Sequence, residues 1–298
     1  MIDIPNLQKD IVLAPYTTYK IGGRADYFLV VKSKDELIDA VIKARKNSIP
    51  YFILGTGANI LIGDKGFRGL VIKNEAKNTV IRGNLVIAES GVVIGDLIEL
   101  TKEKELSGLE HYAGIPSTVG GAIWQNLHFL SPDRKSTIFI ESIFESAEIL
   151  DEENNIQKVN KDFFNFGYDY SILHDKKIII TEVTFKLTPS SKNNIQKQMN
   201  ENLKWRNEKQ PQLFEFPSCG SVFKKIEGVG AGRLIEQVGL KGYQIGGVKV
   251  SEKHANYLVN TGNATARDVK NLIKLIQDKV KNELDYTLEP EISFIGEF

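Results

Sequence analysis

The stretch LGTGANILIGDKG at residues 54–66 begins where the apolar run YFIL at 51–54 ends. YFIL is typical of a buried strand, so the glycines of GTG fall in the turn that follows it. A dinucleotide-binding loop of the Rossmann type would continue into a helix whose N-terminus binds the pyrophosphate. The continuation ILIGDKG is a poor helix because Gly63 and Gly66 interrupt it, and no GK[ST] follows as a Walker A loop requires. The stretch therefore excludes both of these nucleotide-binding motifs.

A second glycine loop, AGIPSTVGGAI, lies at residues 113–123. Neither this loop nor residues 55–63 contains a charged side chain. Backbone N–H groups in such turns can form anion-binding concavities, and the absence of carboxylates avoids repulsion. Either loop alone could be a tight turn without a ligand. Taken together, the two uncharged loops favour a bound diphosphate.

The composition is that of an ordinary globular chain with room for two or three domains. Of 298 residues, 42% are hydrophobic, and 38 basic side chains balance 38 acidic ones. A formal net charge of zero gives no general attraction to nucleic acid or to an anionic membrane. The start MIDIPNLQKDIVL lacks the pattern of a secretory signal, and no uncharged apolar run approaches about 18 residues. We therefore expect a cytoplasmic protein without a nucleic-acid or membrane partner.

The residues that usually bind metals are few and scattered. The chain has one cysteine, Cys219, and four histidines, which are His111, His128, His174 and His254. This rules out an internal disulfide framework and shows no metal-ligand spacing, so we expect no metal. We interpret Cys219 as a small buried side chain, since no adjacent base would activate it. A difficult reaction would then need an organic cofactor.

Some segments show the two-residue period of a strand and others the 3.6-residue period of a helix. Together they predict the α+β class. DYFLVV (26–31) favours a strand, and SKDELIDAVIKARKNS (33–48) favours a helix that opens with a capping box of Ser33 and Glu36. The apolar face of that helix would consist of Leu37, Ala40, Val41 and Ala44. Further predicted strands are GLVIK, NTVIR, LVIAE, SAEILD, IIITEVTFKL (178–187) and LEPEISFIG (288–296). Further helices are predicted around Leu97–Thr101, over 195–210 and in TARDVKNLIKLIQDKVKNEL. The polar run SSKNN (190–194) is interpreted as a domain boundary.

Six segments spread along the chain resemble one known family. They are TTYKIGGRADYF (17–28), LGTGANILIGDKGFRGLVI (54–72), SGLEHYAGIPSTVGGAI (107–123), PSCGSVFKK (217–225), AGRLIEQVGLKGYQIGGVKVSEKHANYLVN (231–260) and LEPEISFIG (288–296). The family is that of the UDP-N-acetylenolpyruvoylglucosamine reductases, flavoenzymes of peptidoglycan synthesis. The segments occur in the family's order, and the last three are highly specific to it. The chain resembles the shorter subtype, which lacks an inserted tyrosine-bearing loop.

The resemblance implies an α+β FAD-binding fold of the vanillyl-alcohol-oxidase type, with a C-terminal α+β substrate-binding domain. The FAD-binding region would be residues 1–190, in two subdomains of about 1–75 and 76–190 that hold the flavin between them, and the substrate domain 191–298. The implied cofactors are FAD and NADPH, and the implied substrate is a UDP-sugar enolpyruvyl ether, with a monomer as the default. The FAD pyrophosphate would be cradled by Gly55, Thr56, Gly57, Ala58, Asn59, Ser117, Gly120 and Gly121.

The resemblance also implies roles for single side chains. Ser221 matches the proton donor of the family, and Glu291 matches the acid that supports the developing enolate. A charged Glu291 would oppose that enolate, so we expect it to be protonated in the complex or to act through a water. The implied substrate-binding residues are Tyr168, Lys209 and Lys224. The alternatives are a turn serine at 221, a solvated carboxylate at 291 and a surface lysine at 209.

Two departures from the family pattern stand out. In FGYDYS (166–171), Asp169 occupies the place of a family arginine that stabilises the enolate. Losing one such electrostatic donor typically costs about 10²–10³ in rate. Where the family reads MNAGAYG, this chain has WQNLHFLSPDRKS (124–136). We hypothesise that Arg134 in this loop supplies the missing charge; the alternative is a solvated loop arginine.

Three functions fit the sequence. The first is FAD-dependent reduction of the enolpyruvyl sugar by NADPH, which the retention of Ser221 and Glu291 favours. The second keeps the flavin fold but acts on another substrate. The third is a non-catalytic protein that binds flavin or a nucleotide sugar, and Asp169 is its main support.

Overall fold

The computed structural model describes residues 4–226 and 228–298. These residues form two compact units, each assembled from separate stretches of the chain. The first unit consists of residues 4–6, 29–55 and 72–206, and the second of residues 7–28, 56–71 and 207–298. The boundary at residue 190 between the FAD-binding region and the substrate-binding domain stays a prediction.

The described residues contain six α-helices and eighteen β-strands. The helices are α1 (Lys34–Lys46), α2 (Ile94–Glu103), α3 (Val119–Gln125), α4 (Lys192–Lys209), α5 (Ala231–Gln237) and α6 (Ala266–Leu284). The first nine strands are β1 (Gln8–Val12), β2 (Arg24–Val31), β3 (Tyr51–Leu54), β4 (Ile60–Ile62), β5 (Phe67–Asn74), β6 (Thr79–Arg82), β7 (Leu85–Glu89), β8 (Leu106–Ser107) and β9 (His128–Leu130). The others are β10 (Thr137–Phe139), β11 (Phe144–Leu150), β12 (Ile156–Val159), β13 (Ile179–Lys186), β14 (Thr188–Pro189), β15 (Gln244–Ile245), β16 (Val248–Val250), β17 (Leu258–Asn260) and β18 (Ser293–Ile295).

An antiparallel five-stranded sheet of order β12-β11-β13-β7-β6 organises the first unit. In β13, Val183 and Phe185 are buried while Thr184 between them is half-buried, which is the two-residue period of a strand with one face on a core. Val86 and Ala88 of β7 belong to the same core. The strands and helices that were predicted lie where the apolar patterns placed them, with ends shifted by a few residues, whereas helices α3 and α5 were not predicted.

Helix α1 shows how local signals set one of these elements. Its buried residues are Leu37, Ala40, Val41 and Ala44, as the helical period predicted. The Ser33 hydroxyl accepts from the Glu36 N–H, but the Glu36 carboxylate accepts from the N–H of Lys32, at 2.7 Å. The predicted capping box is therefore half right, because the carboxylate binds one residue farther back.

The second unit packs α5 and α6 with an antiparallel sheet of order β15-β16-β17. Thr265 and Asp268 form a capping box at the start of α6, and the helix buries Val269, Leu272, Ile273, Ile276 and Val280. The Asp64 carboxylate accepts from Ala266 N (2.7 Å) and Arg267 N (3.0 Å), which satisfies two N–H groups that α6 leaves unpaired.

Two details of the strands bear on the site. The predicted strand 288–296 is only β18, which pairs in parallel with β4, so Glu291 lies just before it. The remaining large sheet has the order β1-β2-β5-β3. The run ILI after the first glycine loop is strand β4, and no helix begins there, which agrees with the exclusion of a Rossmann loop.

Within residues 4–226 and 228–298, no helix is both long and apolar enough to cross a bilayer.

Candidate functional site

The first glycine loop, residues 55–59, connects β3 to β4 and requires glycine at two positions. A Cβ on Gly55 would lie 2.6 Å from the Thr118 hydroxyl oxygen. Gly57 has a φ of +67°, and a Cβ there would lie 2.6 Å from the carbonyl oxygen of Tyr16. A side chain at Gly57 would collide with backbone, and one at Gly55 would collide with the side chain of Thr118. Close contacts therefore explain the glycine at 55, and close contacts together with the positive φ explain the glycine at 57.

This loop carries hydrogen-bond donors without protein acceptors. In the described part of the chain, the backbone N–H groups of Gly57, Ala58 and Asn59 have no acceptor. The side-chain nitrogen of Asn59 is buried and also lacks a hydrogen-bond partner. The Gly57 carbonyl is engaged, since it accepts from Thr18 N at 3.1 Å and Thr18 Oγ1 at 3.2 Å. Donors that lack acceptors beside an engaged carbonyl are suited to an anionic oxygen.

The second glycine loop uses its N–H groups internally. Gly120 N donates to the Ser90 carbonyl at 2.8 Å, and Gly121 N donates to the Thr118 hydroxyl at 3.2 Å. Ser117 Oγ donates to the Thr118 carbonyl at 3.0 Å. The glycine N–H groups of this loop are therefore not available to a ligand in this arrangement. Gly120 and Gly121 allow the loop to lie close to Ser90 and Thr118, and Ser117 is the one predicted residue of this loop whose side chain could turn to a ligand.

The segment that carries Ser221 is fixed on both sides in the second unit. Val222 N donates to the Asn256 carbonyl at 2.9 Å, and the Val222 carbonyl accepts from Glu291 N at 2.8 Å. Ser221 forms a bridge with Tyr257, and Phe223 forms one with Pro290. Ser221 and Glu291 are both half-buried. The structure thus brings the backbones of the two predicted catalytic residues onto neighbouring extended segments.

The residues just before Ser221 are fully packed. Ser218 and Cys219 are buried, and Ser218 Oγ has no hydrogen-bond partner within the described residues. Burial raises the pKa of the Cys219 thiol well above its ordinary value, and the nearby charge of Glu291 adds to this. A thiol that stays protonated is a poor nucleophile. Cys219 is therefore a buried apolar side chain, as the sequence suggested.

The two predicted substrate lysines are on the surface of the second unit. Lys224 forms an ion pair with Glu289 at 3.2 Å, with both side chains about half exposed or more. Lys209 is the last residue of α4 and is exposed. Exposed ion pairs contribute little to stability, so Lys224 can exchange its partner for a ligand phosphate at small cost.

Tyr168 belongs to an aromatic cluster in the first unit. It is 42% exposed, and its ring centroid lies 4.8 Å from that of His128 and 6.3 Å from that of Phe139. The next residue, Asp169, is buried with a left-handed backbone (φ +52°), and its Oδ1 lies 3.5 Å from His128 Nδ1. The carboxylate in the place of the family arginine is therefore paired with an imidazole.

Arg134 is held inside the first unit. Its Nη2 donates to Asn202 Oδ1 at 2.9 Å, and its guanidinium lies 5.6 Å from the ring of Phe129 and 5.5 Å from that of Trp205. Its Nη1 is buried without a hydrogen-bond partner in the described part of the chain. Arg134 is thus not a solvated loop residue. Its role as a substrate cation stays a prediction.

The predicted site residues fall in both units. Tyr168, Arg134, Gly55, Ser117, Gly120 and Gly121 belong to the first; Ser221, Glu291, Lys209, Lys224, Thr56, Gly57, Ala58 and Asn59 belong to the second. Sequence reasoning missed Asn256, Lys73 and the pairing of His128 with Asp169. Nothing in their sequence neighbourhoods marks them, because each contact joins residues distant in the chain. Among the described residues, no group of three His, Cys, Asp or Glu side chains is placed to hold a metal ion.

Comparison with known families agrees with this geometry. The FAD binding domain family matches residues 25–159, which include both glycine loops. The C-terminal domain family of UDP-N-acetylenolpyruvoylglucosamine reductase matches residues 210–295, which include Ser221 and Glu291. The fold and the loops therefore define an FAD-binding protein, and the predictions of an α+β FAD-binding fold and of FAD as cofactor are confirmed.

Relatives that match nearly the whole chain identify its family. A UDP-N-acetylenolpyruvoylglucosamine reductase of Caldanaerobacter subterraneus is 43% identical, over 95% of this chain and 91% of its own. One of Clostridium kluyveri is 37% identical, over 100% of this chain and 95% of its own. The crystal structure of the enzyme from Thermus caldophilus has a TM-score of 0.81 at 30% identity, covering 97% of this chain and 99% of that one. The chain belongs to the UDP-N-acetylenolpyruvoylglucosamine reductase family, which confirms the resemblance seen in the sequence.

The residues present fit the diphosphate of FAD. The first loop offers N–H groups without acceptors and a buried Asn59 amide that lacks a partner. The loops approach closely enough at Gly55 and Thr118 that no Cβ fits between them. Neither loop has a carboxylate to repel a phosphate.

Proposed function

We propose that this chain reduces UDP-N-acetylglucosamine enolpyruvate to UDP-N-acetylmuramate in peptidoglycan synthesis, with NADPH as reductant and FAD as the hydride carrier. The observation that carries the proposal is the 43% identity to a reductase of this name over 95% of the chain. Bound FAD supplies a hydride-transfer chemistry that no side chain can supply. The protein binds the reactants, orients them and moves the proton.

Ser221 is the proposed proton donor. When hydride reaches one carbon of the enolpyruvyl double bond, negative charge develops on the other carbon and its carboxylate. The hydroxyl proton of Ser221 neutralises that carbon. The hydrogen bonds on both sides of Val222 support this role, since they hold the backbone next to Ser221 in one position.

Glu291 is the proposed partner of the enolate. Its backbone N–H donates to the Val222 carbonyl, so the two residues stay in register. In the complex it acts as a neutral acid, or through a bound water, because a carboxylate would repel the developing charge. Lys209, Lys224 and Tyr168 are the proposed substrate-binding residues, with the lysines directed to phosphates of the UDP moiety or of NADPH.

The first glycine loop is the proposed cradle of the FAD diphosphate. Gly57, Ala58 and Asn59 would donate their N–H groups to phosphate oxygens, with Thr56 and Gly55 completing the turn. On the second loop, the Ser117 hydroxyl would turn from the Thr118 carbonyl to a phosphate oxygen, while Gly120 and Gly121 let the loop pack closely against Ser90 and Thr118. We further propose that the protein acts in the cytoplasm, where UDP-sugars and NADPH are made, and as a monomer.

One observation favours a second candidate. The buried Asp169 beside His128 lies where the family has a cation. The alternative is therefore an enzyme with altered activity, or a protein that only binds the nucleotide sugar.

Incubation of the purified protein with NADPH and the enolpyruvyl sugar distinguishes the proposed reductase from these alternatives. The proposal predicts one NADPH consumed per sugar reduced. Consumption that depends on oxygen instead of the sugar indicates another oxidoreductase, and sugar binding without consumption indicates a binding protein.

A further inference from the structure

Lys73 lies at the end of β5 and contacts the first glycine loop. Its Nζ donates to the carbonyl oxygen of Gly55, 2.5 Å away. Gly55 is also the residue that approaches the Thr118 hydroxyl too closely for a Cβ. Lys73 therefore contacts the first glycine loop at Gly55, the residue at which that loop lies closest to Thr118 of the second loop.

The charge of Lys73 is not balanced by a carboxylate. The residue is half-buried, and within residues 4–226 and 228–298 no acidic group lies within ion-pair distance of its Nζ. Lys34 provides a contrast, since it pairs with Glu148 and Glu182 at 3.2 and 3.4 Å. Burial lowers the pKa of Lys73, with Glu75 opposing this only in part, whereas the acidic partners of Lys34 raise its pKa. A half-buried cation without an ion partner favours an anion nearby.

The hydrogen bond also orients a peptide group. In a planar trans peptide, the carbonyl oxygen and the following N–H point in opposite directions. Because Lys73 holds the Gly55 oxygen, the N–H of Thr56 is directed to the other side, and the partial negative charge of the oxygen is kept from that side. Repulsion between a carbonyl oxygen and a phosphate is thereby avoided.

We propose that Lys73 is a positioning residue for the diphosphate of FAD, acting through the Gly55–Thr56 peptide and contributing the positive charge that the two loops lack. The inference depends on FAD binding and on no step of the proposed reduction. A protein that bound FAD but reduced no enolpyruvyl sugar would leave it intact.

The test is the affinity for FAD at different salt concentrations, measured on the full chain by the flavin fluorescence released on dilution of the holoprotein. Lys73→Met keeps the length of the side chain and removes its charge. It should weaken FAD binding about tenfold at low salt, and its affinity should approach that of the wild type near 1 M salt, where the screening length is about 3 Å. Lys73→Arg should restore most of the affinity. Lys77→Met, which removes an exposed charge three residues beyond β5, should leave the affinity unchanged.

A merely structural role gives different results. If Lys73→Met only disturbed packing, its affinity would fall by the same factor at every salt concentration, and the flavin-free protein would melt at a lower temperature. The proposal predicts that the difference in FAD affinity between Lys73→Met and the wild type shrinks as salt rises, whatever the loss of the hydrogen bond to Gly55 does to the melting temperature of the flavin-free protein. Parallel salt curves, or an unchanged affinity for FAD, would overturn it.

Discussion

The side chain of Asn256 binds both backbone polar groups of Phe223: Oδ1 accepts from Phe223 N at 3.0 Å, and Nδ2 donates to the Phe223 carbonyl at 2.8 Å. Asn256 also offers its own carbonyl to Val222 N. Three hydrogen bonds from one residue therefore fix the chain immediately after Ser221. Asn256 acts as a template for the segment that we propose as catalytic.

Replacing Asn256 by Ala should destabilise the protein and slow proton delivery. The buried N–H and carbonyl of Phe223 would lose their partners, at a cost of about 1–3 kcal/mol. Urea unfolding gives the stability, and reoxidation of the reduced flavin by the enolpyruvyl sugar gives the activity. Asn263→Ala, at an exposed position, is the control. Unchanged stability and unchanged reoxidation would remove the template role.

Stability should fall in weak acid because of His254. Burial lowers the pKa of its imidazole, and the charge of Lys241 adds to this, while Nδ1 accepts from Asn256 N at 3.2 Å. The folded chain therefore binds fewer protons than the unfolded one, and the stabilisation is present above about pH 6.5 and lost as the pH falls below it. Each unit of pKa difference corresponds to about 1.4 kcal/mol.

The matched variant for this effect is His254→Asn, whose amide oxygen can replace Nδ1 as acceptor without titrating. The free energy of unfolding, measured in urea at a series of pH values, should depend less on pH in the variant than in the wild type. Identical pH profiles would show that His254 does not cause the acid sensitivity.

Gly55→Ala should reduce FAD binding. Its Cβ would lie 2.6 Å from Thr118 Oγ1 and would separate the two loops. Overpacking of this kind costs about 1–3 kcal/mol, which corresponds to a loss of affinity of about 5- to 150-fold. The flavin-to-protein absorbance ratio after purification measures it. Gly95→Ala, in α2 with nothing within 4 Å of the added Cβ, should retain FAD fully and stabilise the helix. Full flavin content in Gly55→Ala would contradict the cradle.

Arg134 is the proposed replacement for the family arginine. Arg134→Ala should lower kcat by about 10²-fold if the guanidinium stabilises the enolate, with FAD affinity unchanged. It should also lower stability, since the contacts with Asn202 and with the rings of Phe129 and Trp205 are lost. Lys135→Ala, the exposed neighbour, is the control. A less stable variant with unchanged kcat would assign Arg134 to packing alone.

Elements with a strong period were predictable from the sequence. The buried residues of α1 and α6 are those that the helical spacing marks, because their burial depends on one face of one helix. Helices α3 and α5 were not predicted, because seven residues make about two turns, which is too few to show a helical repeat of apolar residues. The strand at 288–296 was predicted too long, because its first half pairs only through the isolated bridge of Phe223 with Pro290. The sequence could not show which backbone N–H groups of the glycine loops lack an acceptor in the protein. The second loop resembles an anion nest in sequence, yet Ser90 and Thr118 accept its glycine N–H groups.

Ser221 is the proposed donor of the proton that the substrate carbon takes up after hydride transfer, and anaerobic stopped-flow of Ser221→Ala measures this step by itself. Reduction of the flavin by NADPH should proceed at the wild-type rate, and reoxidation by the enolpyruvyl sugar should slow by about 10²–10⁴-fold. Ser218→Ala removes a neighbouring buried hydroxyl that has no hydrogen-bond partner within the described residues and should change neither step. Equal loss of both half-reactions, or wild-type reoxidation in Ser221→Ala, would show that Ser221 is not the proton donor.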